Sequence, residues 1–190
     1  AYLVRFADDF LIMFQYERDA QRVYEAVIKR MELFGLELSK EKTRILPFGR
    51  YSGSRETFDF LGFTHFNSKT RKGYYTVGHK ISRKKKKQFK SNLKKWVKEN
   101  RNTQFDEFMK ALNKKLTGSF NFYSISGMIK EVRNLCIHSL FVTFKWLNRR
   151  SQRKSFKLER FYEIWHERII HPYIHVDIWS GDKVIYNKNV

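Results

Sequence analysis

Cysteine is nearly absent: Cys136 stands alone in 190 residues. One thiol excludes an internal disulfide and a cysteine-based zinc site. With Leu135 and Ile137 beside it, a buried thiol is the expected state. Proline is almost as scarce, at Pro47 and Pro172 only, so few positions break the chain sharply. No stretch approaches the roughly 20 apolar residues of a membrane span. No signal-like segment occurs either, which leads to the expectation of an intracellular protein. Acid is short as well: 19 Asp plus Glu face 39 Lys plus Arg, a formal net charge of +20. That excess is too large for an ordinary cytosolic enzyme of this size. It points to a polyanion, nucleic acid before an anionic membrane surface. The six histidines show no metal-ligand spacing with acidic partners. His171 and His175 are four apart, but Pro172 between them argues against a helix that would join them.

What is present is apolar and aromatic. Hydrophobic residues make up 42% and aromatics 17%, which allows a core and argues against wholesale disorder. Residues 2–7 and 10–15 read as strands around a turn at Asp8-Asp9. Ala20, Val23, Tyr24, Val27, Ile28, Met31 and Phe34 follow the spacing of one helical face, and Gly35 ends it. "LELSKEKTRILPF" reads as two extended pieces around a polar turn, "FDFLGFTHF" as one strand, and "RKGYYTVG" as the turn and return strand of a hairpin. From Ser82, a plausible N-cap, the chain turns basic and helical. Phe89, Leu93, Trp96 and Val97 give the first such helix a thin apolar seam. A second helix runs through Phe105, Phe108, Met109, Leu112 and Leu116, and "TGSFNFYSISG" reads as a loop. A long helix spans about 128–148, "NRRSQRKS" is a basic linker, and a last helix spans about 158–168. The fold class is α+β.

Two features carry chemistry. Asp8 and Asp9 lie between "YLVRF" and "FLIMF", runs too apolar for an exposed ribbon. A buried hairpin with its acidic tip in a cleft is therefore expected. Such a tip can bind Mg²⁺, which takes hard oxygen ligands, one or two carboxylates and substrate phosphates. A solvated turn is the competing reading, since Asp is common in turns. The second feature is cationic. Lys84, Lys85, Lys86, Lys87, Lys90, Lys94 and Lys95 crowd one helix, and Arg149, Arg150, Arg153 and Lys154 form another patch. Basic runs are often only solvated faces. Two clusters in a chain of this charge favour RNA contact. Phe120, Phe122 and Tyr123 could stack on unpaired bases or pack in the core.

In order and spacing, "FADD" in an apolar hairpin, then a helix, "GLELSKEKT" and "FDFLGF" resemble reverse transcriptases of the group II intron type. "KLTGSFNFYS" and "FKWLNRRSQRKSF" are similar to the maturase-specific thumb, or domain X, of that family. The resemblance extends to about residue 165. It implies the C-terminal part of a polymerase palm at 1–80, with antiparallel strands and one packed helix. An all-helical thumb follows at 81–165, then a tail at 166–190. It further implies RNA-directed DNA polymerase activity, with a maturase role in RNA splicing. Asp8 and Asp9 match the family's paired metal aspartates, with Phe6 where that family has Tyr. Lys42 would lie near the incoming nucleotide's phosphates, or be a plain surface lysine in a turn. Phe58, Leu61 and Gly62 match the segment that supports the primer, although Phe58 can equally be core. The implied cofactor is Mg²⁺. The implied partners are intron RNA, an RNA–DNA primer-template and deoxynucleoside triphosphates, in a ribonucleoprotein of the cytoplasm or an organelle. Membrane-surface binding is a weak third possibility.

The family also places fingers and a further catalytic aspartate before the hairpin, and this chain starts seven residues before Asp8. The resemblance thus leads to the expectation of a C-terminal half, with the N-terminal part supplied in cis or in trans. The alternative is a non-catalytic basic RNA-binding module in which only the thumb works.

Overall fold

The computed structural model describes residues 1–39, 41–150, 155–174 and 176. All five strands lie within the first 81 residues, with one helix between the two sheets, and four helices follow them, which makes the fold α+β. Two compact units divide it: Ala1–Leu61 with His65–Gly78, and Gly62–Thr64 with the described residues from His79 on.

The first unit opens with β1 (Tyr2–Phe6) and β2 (Asp9–Met13), antiparallel from Tyr2↔Met13 to Phe6↔Asp9. The turn is Ala7–Asp8, one residue earlier than the Asp8-Asp9 turn expected from the sequence. The hairpin is not buried. Every residue of β1 is exposed, and only Phe10, Leu11 and Ile12 of β2 are half-buried. A two-stranded ribbon covers little of its own apolar surface, however apolar its sequence.

Helix α1 (Glu17–Leu33) carries Glu17 and Asp19 in its first turn and Arg30 in its last, each sign matched to the helix dipole. Its apolar stripe from Val23 to Met31 is half-buried and none of it fully buried, so this helix is less closely packed than expected. Gly35 ends it at φ +67. The Gly35 N–H donates to Glu32 O (3.0 Å) and the Leu36 N–H to Met31 O (2.9 Å). That bond pair is a Schellman closure.

After α1 the Lys42 and Thr43 N–H groups both donate to Ser39 O, and the described residues before Thr57 form no strand. Side chains take over the bonding that strand pairing would have supplied. Asn67 Nδ2 donates to Ser54 O (2.9 Å), Asn67 Oδ1 accepts from the Gly49 N–H (3.2 Å) and the Tyr75 hydroxyl (2.9 Å), and Arg44 donates to Thr57 O (2.7 Å).

β3 (Thr57–Phe60), β4 (Phe63–Lys69) and β5 (Tyr75–Ile81) form one sheet in that order. "FDFLGFTHF" is thus two strands where one was expected. Leu61 (φ +51) and Gly62 (φ +85) both adopt positive φ, the requirement of a two-residue hairpin turn.

The second unit is built on α2 (Arg83–Asn100), α3 (Phe105–Tyr123), α4 (Ile129–Leu147) and α5 (Leu158–Arg168). Ser82 caps α2 as expected, its hydroxyl accepting from the Lys85 N–H. Helix α3 runs on through Thr117–Tyr123, which the sequence suggested was a loop. Leu116, Phe120 and Tyr123 continue its three-four spacing, and the cost of Gly118 in a helix is only about 1 kcal/mol. The core holds Leu93, Val97, Phe108, Leu112, Leu116, Val132, Leu140, Leu147, Phe161 and Trp165 among others, with Ile81 of β5 joining them. Cys136 is buried there, as expected, and burial pushes its thiol pKa up against a smaller opposing effect of the Trp165 indole. Among the described residues, no helix is long and apolar enough to cross a membrane.

Helices α2 and α4 run side by side in the same sense. At their amino ends Lys86 Nζ donates to Glu131 Oε1 (3.0 Å), and the Ile81 N–H just before α2 donates to Glu131 Oε2 (3.3 Å). At their carboxyl ends Lys98 and Arg101 meet Trp146.

Candidate metal hairpin and nucleic-acid interface

The β1–β2 turn sets Asp8 and Asp9 side by side. Asp8 is the second turn residue and Asp9 opens β2 opposite Phe6. Both are exposed. Ala7, ahead of them, is held at φ +52, a conformation that costs an L-residue about 1–2 kcal/mol. The Arg5 Nε–H donates to Ala7 O (2.9 Å) and braces that turn. Adjacent, exposed carboxylates are hard oxygen ligands of the kind Mg²⁺ accepts. Among the described residues no group of three or more His, Cys, Asp or Glu is placed to hold a metal ion. The pair therefore fits Mg²⁺ in the chemistry of its donors, and alone it offers fewer ligands than that ion takes.

Lys42 is exposed, its N–H donating to Ser39 O (3.0 Å). Phe58 is half-buried, stacked on His65 at 5.0 Å and edge-on to Phe48 at 5.0 Å. Its ring is committed to packing. Leu61 and Gly62 form the β3–β4 turn. A Cβ on Gly62 would lie 3.5 Å from both Lys85 Cγ and the Tyr123 hydroxyl, so backbone, lysine and phenol converge there. Neither of those two neighbours is legible as such from the sequence.

The aromatic trio separates. Phe120 is 2% exposed and belongs to the core, which removes it from base stacking. Tyr123 is half-buried against Phe63 (5.5 Å), and burial raises its pKa. Phe122 is 56% exposed and keeps a face open to solvent.

The basic helix face is real, with one exception. All six of Lys84, Lys85, Lys87, Lys90, Lys94 and Lys95 are exposed on α2: Lys84 and Lys95 lie opposite Leu93 and Val97, Lys85, Lys87 and Lys94 lie on the flanks, and Lys90 lies at the edge of the buried face, near enough to His138 of α4 to lower its pKa. Lys86 is half-buried and spent on Glu131. Arg149 is exposed and lies 5.4 Å from the Trp146 ring centre. Arg150 is half-buried, and its Nε has no acceptor among the described residues. Arg153 and Lys154 lie outside the described residues. The sequence reading missed His166 and His171, whose rings stack at 4.6 Å with Nδ1 and Nε2 2.8 Å apart. They are five apart across a helix end, a spacing no helical pattern would flag.

These features define a class: an α+β chain with a paired-aspartate hairpin in one unit and a cationic helical bundle in the other. Residues 1–65 match the family of reverse transcriptases, described as Reverse transcriptase (RNA-dependent DNA polymerase). The match covers the aspartate hairpin, Lys42 and the Phe58–Gly62 turn, and it supports placing this part of the chain in that family. No curated protein and no solved structure matches the chain.

Proposed function

We propose that this chain is the C-terminal portion of a group II intron-type reverse transcriptase with a maturase role. Residues 1–80 would close the palm and the helical unit would serve as thumb and RNA-binding surface. The observation that carries this reading is the position of the Asp8-Asp9 pair, on a hairpin turn inside the segment that matches the reverse transcriptase family. Asp8 and Asp9 would hold Mg²⁺. When bound, such ions keep attacking and leaving oxygens in line for nucleotidyl transfer. Lys42 would offset charge on the triphosphate. The Leu61-Gly62 turn would bring backbone close to the primer, where a side chain larger than hydrogen at Gly62 would intrude. The exposed lysines of α2 would neutralise RNA phosphates, and Phe122 would stack on an unpaired base. Further carboxylate and fingers would come from a palm segment in cis or in trans, in a ribonucleoprotein with intron RNA.

A second reading is a basic RNA-binding module without catalysis. It is favoured by the absence of a three-ligand cluster among the described residues. Primer extension with Mg²⁺ separates the two, run with the chain alone and with a fingers-and-palm partner. Extension only with the partner, lost by at least about a hundredfold in Asp8→Ala while RNA affinity is unchanged, supports the polymerase. Unaltered RNA binding with no extension in either mixture supports the module.

A further inference from the structure

Three cations crowd one indole at the carboxyl ends of α2 and α4. Lys98 Nζ lies 5.8 Å, Arg101 Cζ 5.6 Å and Arg149 Cζ 5.4 Å from the Trp146 ring centre. All three charges therefore sit in a neighbourhood about one Debye length across, on the order of 10 Å. None of them makes an ion pair among the described residues. Arg150, one residue on, adds an Nε buried with no acceptor among the described residues.

Part of this clustering has a local cause. Two helix carboxyl ends meet here in the same sense, and each macrodipole is equivalent to about half a negative charge. Together they offset about one of the three cations. The ring quadrupole of Trp146 holds the cations in place. It adds no net charge, so roughly two positive charges are left without a counter-charge among the described residues.

We infer that Lys98, Arg101 and Arg149, arrayed on Trp146, form a clamp for the phosphodiester backbone of a polynucleotide strand. This rests on the reading of the helical unit as a nucleic-acid surface and adds a second contact to it. By helical rise the clamp lies about 20 Å along α2 from Lys84, so a strand can engage the lysine face and the clamp together. The indole fixes the cations in advance, which lowers the ordering cost of gripping a phosphate. Recognition is of backbone charge, so it is tolerant of sequence.

The test uses the 190-residue chain and a fluorescent single-stranded RNA, with DNA of the same sequence as a second arm. Affinity is measured across a salt series for K98Q/R101Q/R149Q and for K110Q/K114Q/K130Q, which removes the same charge elsewhere in the helical unit. The clamp triple is expected to weaken binding at least about tenfold more than the other, and to flatten the log–log salt slope by about 1–3. Loss on both strands identifies the phosphodiester as the ligand; loss on RNA alone adds a 2′-hydroxyl requirement to the clamp. In W146F, which keeps a ring for the cations, the quenching of tryptophan fluorescence by RNA should shrink. Equal weakening by the two triples overturns the clamp while leaving RNA binding intact. A lower melting temperature with an unchanged salt slope also overturns it, assigning the cations to the helix ends. Failure of the unaltered chain to bind either strand overturns the clamp and the RNA-binding reading together.

Discussion

Ala7 carries a conformation its side chain disfavours, directly beside the two carboxylates. Strain of this kind persists where surrounding structure holds it, and it clusters at functional turns. Its presence is a reason to read Asp8 and Asp9 as placed, not merely solvated. Ala7→Gly should relieve the backbone and raise stability by about 0.5–1 kcal/mol, a gain limited by the added freedom of the unfolded chain. Urea unfolding measures it. A loss of stability would show that Ala7 does not hold positive φ in solution. At the same scale, Phe120 and Phe122 are two residues apart and differ in surroundings, one in the core and the other stacked on Phe63 at 5.6 Å with the rest of its ring open to solvent. Their residue type is identical, so only their place on α3 separates them.

Among elements, α2 has a start fixed by both side chain and backbone. Ser82 Oγ accepts from the Lys85 N–H at 3.4 Å, a long bond. The Ser82 N–H donates to Gly62 O (3.0 Å), a backbone bond that any residue would keep. Ser82→Ala should therefore cost about 0.5–1 kcal/mol, the low end of cap losses. Thermal unfolding followed by circular dichroism would read it. A loss above about 2 kcal/mol would mean that the buried serine does more than cap. Glu131 secures the same end from α4 by accepting from Lys86 and from the backbone of Ile81. One acid thus aligns two helices whose dipoles run in the same sense. The cations at their far ends meet the electrostatic consequence.

For the whole molecule, charge and histidine burial set the response to solution conditions. Burial lowers the pKa of His79, His138 and His171, with Lys90 adding to the effect at His138 and His166 at His171. The unfolded chain then takes up protons first as pH falls below about 6.5. Stability held above that value should decline through the lowered folded values, and H79Q/H138Q/H171Q should flatten the decline. Asp106 acts in the same direction further down the scale, since its hydrogen bond with Arg168 lowers its pKa. Unfolding midpoints measured between pH 7.5 and 5 check this. A midpoint that rises on acidification would exclude the histidine account.

Much of the helical unit was legible in the chain. Apolar residues three and four apart on α2, α4 and α5 give boundaries close to those observed, and Ser82 and Gly35 mark ends by chemistry that acts within one turn. Local effects of that kind need no distant partner. The paired aspartates, the lysine run and the net charge are also properties of order and composition alone. Other features depend on residues far apart in sequence. Tertiary structure decided that the β1–β2 hairpin is exposed, that "FDFLGFTHF" folds back on itself, and that Phe120 turns inward. It decided that Lys86 is consumed by Glu131, 45 residues away. It also gathered Lys98 and Arg101 onto Trp146 by laying α2 against α4. Periodicity records which face of a helix is apolar. It does not record which other helix that face will meet, and the meeting determines which charges are brought to a partner of opposite sign and which are gathered on an aromatic ring.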